Sequence, residues 1–358
     1  MNLSRATASF SAMGLESMGV SVVICCHNSA SRLPATLRHL AAQHVPNGIP
    51  WEVVVVDNAS TDNTREVALA EWPAGAPARL RVVSEPRPGL RLARERGQAE
   101  SCWPIISFID DDNWVSPDWV RLVSEIMTER PRVGACGGWN EAVCEVPPPA
   151  WFEANDHCYA VGPQAEPGKE GGGRVRRLWG AGLNIRRAAW EGLVNHGFRP
   201  LLMDREGKRL TAGGDSELCH ALQLAGWELW YDPRLRLKHF IPAGRLRWSY
   251  LRGLVRGFGA TLTDPYWFEV DDRLRALPEW RRSWWMLIAR EIRALPHWLP
   301  GWWRGLGGKG EGDPAVLVAE RTIGRWSALL RAMGRFDERC RTVRQAAWRQ
   351  SGPRPDAG

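Results

Sequence analysis

Three consecutive aspartates, Asp110, Asp111 and Asp112, directly follow the apolar run IISFI at residues 105–109. Adjacent carboxylates repel one another, so the end of a buried strand is a costly place for them. Hard cations such as Mg²⁺ and Mn²⁺ prefer carboxylate oxygen, and Mg²⁺ often binds one or two carboxylates together with substrate phosphates. The run therefore predicts a cation held against a diphosphate, where it offsets charge on a leaving group. The competing interpretation is a single N-cap for the following helix, which does not require three acids.

Three further side chains lie at predicted strand or helix ends. Asp57 ends the run VVVVD and suits a hydrogen bond to a base or ribose, or else an Asx turn. Asp215 follows two glycines in GGDSELCHALQ and suits a general base, with Glu217 as the fallback, or else a helix N-cap. His239 ends the β-like run LRLKH and suits a metal or phosphate contact, or else a structural role.

The elements that must position these residues alternate between strand and helix. Strand patterns lie within residues 20–30, 51–64, 78–86 and 103–112, and a segment with helical spacing of apolar residues follows each one. Such alternation predicts an α/β doubly wound sheet, which binds ligands at the carboxyl ends of its strands. The phosphate-binding motifs GxGxxG and GxxxxGK[ST] are missing, which counts against a dehydrogenase and against a P-loop enzyme.

Charge is unevenly distributed along the 358 residues, which carry a net charge of +7. Residues 245–358 hold 21 Lys and Arg against 12 Asp and Glu, and 10 of the 21 tryptophans. Mixtures such as RRSWWMLIAREIRALPHWLPGWWRG favour a bilayer interface, because Trp prefers that depth and anionic lipid attracts arginine. We expect a helical extension that contacts an anionic membrane surface peripherally, or else packs on the catalytic domain.

The chain is predicted to have three parts: a disordered leader at 1–18, a catalytic domain at 19–244 and the helical extension at 245–358. The leader lacks the sustained apolar stretch of a secretory signal, and no segment has the apolar length that spans a bilayer. Eight cysteines without a CxxC pair indicate reduced thiols and no zinc site. We therefore expect a cytoplasmic protein, peripheral at the inner face of the plasma membrane.

Together the motifs resemble a family 2 glycosyltransferase, an inverting enzyme of the GT-A fold. The resemblance covers about residues 20–260 and rests on SVVICCHNSASRLPATLRHLAAQ, WEVVVVDNASTDNT, RPGLRLARERGQAES and ISFIDDDNWVSPDWV. With WGAGLNIRRAAW and AGWELWYDPRLRLKHFIP, the set is most similar to glycosyltransferases assigned to cyanobacterial hormogonium polysaccharide. It implies a mixed α/β sheet flanked by helices, a nucleotide-diphospho-sugar donor, Mg²⁺ or Mn²⁺, and a glycan or lipid-linked acceptor.

The resemblance also implies a role for each site residue. Four residues contact the donor nucleotide: Asp57, Arg94, Asp110 and Asp111. Two residues hold the metal: Asp112 and His239. Asp215 is the catalytic base, although Gly214 precedes it where the family has an acidic residue. Gly182 and Asn184 lie where the acceptor loop approaches the donor.

Three other functions compete with this interpretation. One is a catalytically inactive family member with a scaffold role, and another is a nucleotidyltransferase built on a similar sheet. The third is a basic nucleic-acid-binding protein, suggested by the Arg and Trp content. Residues 1–244 hold 26 basic and 28 acidic residues, so the motif-bearing part is slightly acidic and no nucleic-acid partner is expected.

Overall fold

The computed structural model describes residues 18–46, 48–165, 168, 170–201, 213–261 and 265–353. The strands, in chain order, are β1 Val20–Cys26, β2 Trp51–Asn58, β3 Arg79–Glu85, β4 Ile105–Asp110, β5 Asn113–Val115, β6 Val133–Cys144, β7 Gly162–Pro163, β8 Gly173–Arg174, β9 Leu183–Arg186 and β10 Glu228–Ile241. Of the predicted leader only Met18 lies within the described residues, where its carbonyl accepts a hydrogen bond from the Ser124 hydroxyl at 2.7 Å.

The helices of the described residues flank this sheet and then continue beyond it. They are α1 Leu33–Ala41, α2 Thr64–Glu71, α3 Leu90–Glu100, α4 Trp119–Glu129, α5 Arg187–Asn195, α6 Gly214–Leu224, α7 Trp248–Thr261, α8 Trp267–Val270, α9 Asp272–Arg275, α10 Glu279–Arg282, α11 Trp284–Arg293, α12 Leu295–Arg304, α13 Pro314–Arg331 and α14 Phe336–Arg344. Four short 3₁₀ segments lie at Glu153–Tyr159, Ala243–Leu246, Leu306–Gly308 and Ala347–Gln350.

The main path of the sheet runs β3-β2-β1-β4-β9-β6-β10-β5, with β7 and β8 paired off it. The strands β3, β2, β1 and β4 are mutually parallel, whereas β9 is antiparallel to both β4 and β6. The predicted mixed α/β sheet flanked by helices is therefore confirmed.

Alternation along β1 and β2 explains why both strands are buried on both faces. Val22 and Ile24 of β1 point into one apolar cluster with Leu33 and Leu37 of α1. Val23 points into a second cluster, on the other side of the sheet, together with Ala93 of α3. Successive strand side chains point to opposite faces, so an unbroken valine run fills both layers.

The start of the C-terminal third packs on the sheet domain. Trp248, Leu251 and Val255 of α7 share a buried apolar cluster with Trp151 and Tyr159. Helix α13 lies against α7. Glu320 of α13 is 2% exposed and forms ion pairs with both Arg252 and Arg256 of α7. The predicted division at residue 244 stays a prediction.

Two glycines let α7 and α13 approach closely. A Cβ at Gly259 of α7 would collide with the carbonyl oxygen of Arg321, and a Cβ at Gly324 of α13 would collide with that of Arg256. Within the described residues, no helix combines the length and apolarity needed to cross a bilayer.

Candidate active site

The candidate site lies at the edge of the sheet where β1, β2 and β4 end. In the strand register, Asp57 of β2 is opposite Cys26 of β1, and Asp110 of β4 is opposite Cys25. The two carboxylates therefore lie on either side of the last residues of β1. This is the strand edge at which sheets of this kind bind ligands.

Asp110 lies among the charges of the other site residues. Burial, and then the neighbouring charge of Asp112, raise the pKa of the Asp110 carboxyl to about 6, and the nearby Arg94 guanidinium opposes that shift. Asp215 and Asp111 also raise this pKa. The partly buried Asp110 carboxyl thus lies within electrostatic reach of residues from α3, α6 and the β4–β5 turn.

Asp111 is turned towards the start of α1. Its carboxylate accepts a hydrogen bond from Arg32 Nη2 at 2.6 Å, and its carbonyl accepts one from the Thr36 hydroxyl at 2.9 Å. Burial and the charge of Asp112 raise the pKa of the Asp111 carboxyl, and the bond from Arg32 opposes this. These contacts suit a residue that fixes the acidic turn to α1, and its predicted contact with the nucleotide stays a prediction.

Asp112 is the most buried of the three aspartates, at 3% exposed. Its Oδ1 lies 3.6 Å from Nε2 of His239, and its Oδ2 accepts a hydrogen bond from Arg245 Nη1 at 3.1 Å. The backbone N–H of Phe240 donates to its carbonyl at 2.9 Å. The pairing of β5 with β10, which sets His239 opposite Asn113, creates this arrangement.

At Asp112, one carboxylate oxygen and the His239 imidazole are available to a divalent cation, while Arg245 holds the second carboxylate oxygen. The described residues contain no group of three or more His, Cys, Asp or Glu side chains placed to hold a metal ion. A carboxylate and an imidazole nevertheless converge there, and Mg²⁺ characteristically completes its coordination with water and substrate phosphate. Asp112 and His239 are the residues that would hold the ion.

Asp215 lies in the first turn of α6 and forms an ion pair with Arg94 of α3. The N-cap of α6 is Gly213, so Asp215 does not cap the helix, and the capping interpretation of this residue is wrong. Its side chain is 32% exposed, whereas that of Arg94 is 10% exposed. The carboxylate is thus held by a largely buried cation while it remains partly open to solvent.

Glu217, the fallback base, is 1% exposed and accepts a hydrogen bond from the backbone N–H of Leu201 at 2.5 Å. This burial favours a structural role. Asp57 is partly exposed, and its Oδ1 accepts a hydrogen bond from the backbone N–H of Ser60 at 3.3 Å. The Asx-type turn is therefore present, and the base or ribose contact of Asp57 stays a prediction.

In the motif WGAGLNIRR, the residue that contacts the Arg94–Asp215 pair is Gly180, whereas the sequence analysis named Gly182 and Asn184. Asn184 is fully buried and donates to the carbonyls of Cys136 and Gly182, at 3.2 and 3.1 Å. A Cβ at Gly180, in contrast, would collide with the carboxylate of Asp215 and crowd Arg94. Gly180 is thus the position where the chain makes room for the Arg94–Asp215 pair.

Arg32 and Arg245 are site residues that the sequence analysis missed. Arg245 lies just beyond the strand that carries His239, at the predicted first residue of the extension. The available signal was the alternating strand pattern of β10 followed by the short segment PAGRLRW, since a cation that closely follows a strand end lies at the ligand-binding edge. For Arg32, the turn between β1 and α1 was the comparable signal.

A cavity of about 460 Å³ adjoins the ion pair. Arg94 and Glu217 contribute to its wall, and most of the remaining wall is apolar, with residues from β4, β9, α5 and the segment that follows α5: Phe108, Leu183, Ile185, Trp190, Leu193 and Phe198. A partly open, largely apolar space thus lies beside Arg94, the partner of Asp215.

Comparisons with known proteins agree with this geometry. Residues 21–188 match the family model described as Glycosyl transferase family 2. The chain is 25% identical over 239 residues to the succinoglycan biosynthesis protein ExoM of Rhizobium meliloti (strain 1021), covering 66% of this chain and 71% of ExoM. It is 40% identical over 108 residues to an uncharacterized glycosyltransferase of Mycobacterium tuberculosis (strain ATCC 25618 / H37Rv), covering 30% of this chain and 43% of that relative.

A solved structure supports the fold. The mannosyltransferase PcManGT from Pyrobaculum calidifontis, in complex with GDP-Man and Mn²⁺, aligns with a TM-score of 0.51 and 17% identity, covering 88% of this chain and 87% of that one. An identity this low bears on the fold alone. Residues 21–188 are thus similar to the glycosyl transferase family 2 domain, and the chain has a mixed α/β fold of the GT-A type.

Proposed function

We propose that the protein is an inverting, metal-assisted hexosyltransferase of polysaccharide biosynthesis. It would move a sugar from a nucleotide-diphosphate donor to a glycan or lipid-linked acceptor. The observation that carries the proposal is the charge cluster around Asp110, where the Asp112–His239 pair and the Arg94–Asp215 pair converge. The narrower resemblance to hormogonium-polysaccharide enzymes belongs to the proposal and is not confirmed by the comparisons.

The donor nucleotide is assigned to the strand edge between Asp57 and Asp110, with Arg94 lining the same pocket. Asp112 and His239 are assigned to Mg²⁺ or Mn²⁺, which when bound would offset negative charge on the diphosphate. Arg245 supplies a further fixed cation at Asp112. A diphosphate leaving group carries several negative charges, so cations positioned in advance stabilise the transition state in which that charge develops.

Asp215 is assigned as the general base. It takes the proton of the acceptor hydroxyl while the acceptor oxygen forms a bond to the anomeric carbon, and the bond from that carbon to the diphosphate oxygen breaks. The nucleoside diphosphate leaves from the opposite face. One displacement inverts the anomeric configuration and requires no carboxylate nucleophile. Arg94 holds the Asp215 carboxylate in place, and Gly180 leaves the space for it.

The setting that we propose is the cytoplasm at the inner face of the plasma membrane. The eight cysteines are free thiols, as expected in a reducing compartment. A lipid-linked acceptor would be accessible at the membrane surface.

The first test is a thermal-shift panel with UDP, GDP, dTDP and CMP, each with and without Mn²⁺. It would use the wild-type protein, Asp112→Ala, and Asp118→Ala as the matched control, because the Asp118 side chain is 49% exposed at the start of α4. We expect one diphosphate to raise the melting temperature only with Mn²⁺, in wild type and control but not in Asp112→Ala. The nucleotide that stabilises the protein identifies the class of sugar nucleotide to use as donor. A transfer assay would then measure release of the nucleoside diphosphate.

Other outcomes would point to the competing functions. Release of pyrophosphate from a nucleoside triphosphate would indicate a nucleotidyltransferase. If no nucleotide shifts melting in any condition, the proposal fails and an inactive scaffold gains support. Binding of RNA or DNA at physiological salt, without nucleotide binding, would favour the nucleic-acid interpretation.

A further inference from the structure

Helices α11 and α12 expose a row of large apolar side chains. The row comprises Trp285 and Ile292 of α11, Leu299 and Trp303 of α12, and Leu306 of the 3₁₀ segment that follows; they are 72%, 50%, 37%, 61% and 41% exposed. Ala289 and Pro296 occupy the positions between them, so the row advances in alternating steps of four and three residues. Such steps keep side chains on one side of a helix. We call these seven positions the apolar stripe.

The opposite face of the same helices is what holds them in the fold. Trp284, Leu287 and Ile288 of α11 are buried in a cluster with Leu329 of α13 and Phe336 of α14. The packing of α11 against α13 therefore does not use the apolar stripe.

Two further contacts fix this face. The carboxylate of Glu291, which is 2% exposed, accepts a hydrogen bond from Arg325 of α13 at 2.7 Å. In α12, a Cβ at Gly301 would collide with the carbonyl oxygen of Ala315, so only glycine permits this approach to α13. Because these contacts hold the buried face of α11 and α12 in place, the apolar stripe faces the solvent.

Basic side chains flank the stripe. Arg290, Arg293 and Arg304 are exposed and lie one position further around the helix from it, together with His297. Residues 280–304 contain five arginines and a single acidic residue, the buried Glu291, while Arg304 and Arg282 also pair with carboxylates outside this range. Trp280, which is 57% exposed and has Arg281 stacked on its ring at 5.0 Å, extends the same composition into α10.

We propose that the apolar stripe of α11 and α12 docks on an anionic lipid bilayer and lies in the plane of its interface. Large exposed apolar side chains in one row, tryptophan among them, and a neighbouring row of arginines are the features of interfacial helices. Anionic headgroups complement the arginine row, whereas a second copy of this chain would present the same positive charge and be repelled. The interaction extends the proposed function, and it requires neither donor nor catalysis.

The test is co-sedimentation of the full-length protein with vesicles of phosphatidylcholine, with and without an equal part of phosphatidylglycerol. The stripe variant is Trp285→Ser with Trp303→Ser. The matched control is Leu69→Ser with Met333→Ser, because these apolar side chains are 53% and 62% exposed outside the stripe. Melting temperatures confirm that all three proteins are folded. We expect wild type and control to sediment with the anionic vesicles, and the stripe variant to partition at least about tenfold more weakly.

A second variant, Arg290→Gln with Arg293→Gln, tests the charge. It should bind the anionic vesicles more weakly than wild type, and raised salt should narrow that difference. Absence of wild-type binding, or equal binding by wild type and stripe variant, overturns the proposal. Concentration-dependent dimers that the stripe variant loses, without vesicle binding by wild type, would overturn it in favour of a second copy. Because the assay measures binding alone, its failure is distinct from failure of sugar transfer.

Discussion

Arg94 of α3 and Asp215 of α6 form an ion pair between residues 121 positions apart in the sequence. The pair connects the helix that follows β3 with the helix that carries the proposed base. Since Arg94 also lies over the ring of Phe108 in β4, at 5.6 Å from the ring centroid, the cation is fixed from both sides. The carboxylate is therefore held in position before any acceptor arrives.

Replacing Asp215 with Asn should abolish most of the transfer activity. The amide cannot take a proton, so we expect kcat to fall by about 10²–10⁴-fold. The nucleotide-dependent melting shift should persist, since the donor site is assigned to other residues. Steady-state kinetics and thermal shift measure the two effects. A Glu217→Gln variant that loses transfer while Asp215→Asn retains it would contradict the assignment.

Adding one methyl group at Gly180 should also impair transfer. In Gly180→Ala the new Cβ meets the carboxylate of Asp215 and must displace it from Arg94. We expect a fall in kcat of at least about tenfold, with donor binding largely kept. Gly171→Ala is the control, because a Cβ there meets nothing within 4 Å. Equal activity in both variants would show that the space at Gly180 is not needed.

Arg245→Gln should raise the affinity for Mn²⁺ while it lowers turnover. The substitution removes the cation that contacts Asp112 Oδ2, so Mn²⁺ without nucleotide should bind about tenfold more tightly. Turnover should fall, because that cation is proposed to face the departing diphosphate. Mn²⁺ titration by electron paramagnetic resonance gives the affinity. Arg247→Gln, at an exposed position, is the control and should change neither quantity.

The raised pKa of Asp110 predicts how stability depends on pH. An ordinary aspartate titrates near pH 3.8 and this one near pH 6, so the folded protein binds a proton more tightly than the unfolded chain. The free energy of unfolding should therefore fall as the pH rises through this window, by about 3 kcal/mol in total. In EDTA, Asp110→Asn should melt above wild type at pH 8. The gain should shrink towards pH 4, and a gain that is independent of pH would contradict the prediction.

Breaking the buried ion pairs between α7 and α13 should destabilise the protein. In Glu320→Ala the guanidinium groups of Arg252 and Arg256, which are 22% and 52% exposed, lose their carboxylate but keep contact with water, so we expect the free energy of unfolding to fall by about 1–3 kcal/mol. Urea denaturation measures the loss. The control is Glu279→Ala, whose partly solvated pair with Arg344 should contribute less than about 1 kcal/mol.

The sheet and the acidic edge were predictable because their signals are local. Unbroken valine runs such as that of β2 specify strands buried on both faces, and an aspartate at such a strand end lies at the ligand edge by topology alone. The helix content of the extension likewise follows from local spacing. These features require no knowledge of which distant segments meet.

The side-chain pairs across the site were not predictable, because they depend on which distant segments pack together. Whether Asp215 caps its helix or pairs with Arg94 depends on how closely α3 approaches α6, which only the packed sheet determines. The role of Gly180 depends on the same approach, and the roles of Gly182 and Asn184 in the same motif stay predictions. Arg245 was missed because its contact requires β10 to lie beside β5.

The position of Arg245 has a consequence for the enzyme as a whole. Arg245 contacts Asp112, and α7 begins shortly after it at Trp248, which is buried against the sheet domain. Helix α7 is joined through Glu320 to α13, and α13 in turn holds α11. A guanidinium at the acidic site is thus connected, through α7 and Glu320, to the C-terminal helices. Removing these helices would leave Arg245 without the packing of α7 that follows it, so we expect a C-terminal truncation to alter the charge balance at Asp112 as well.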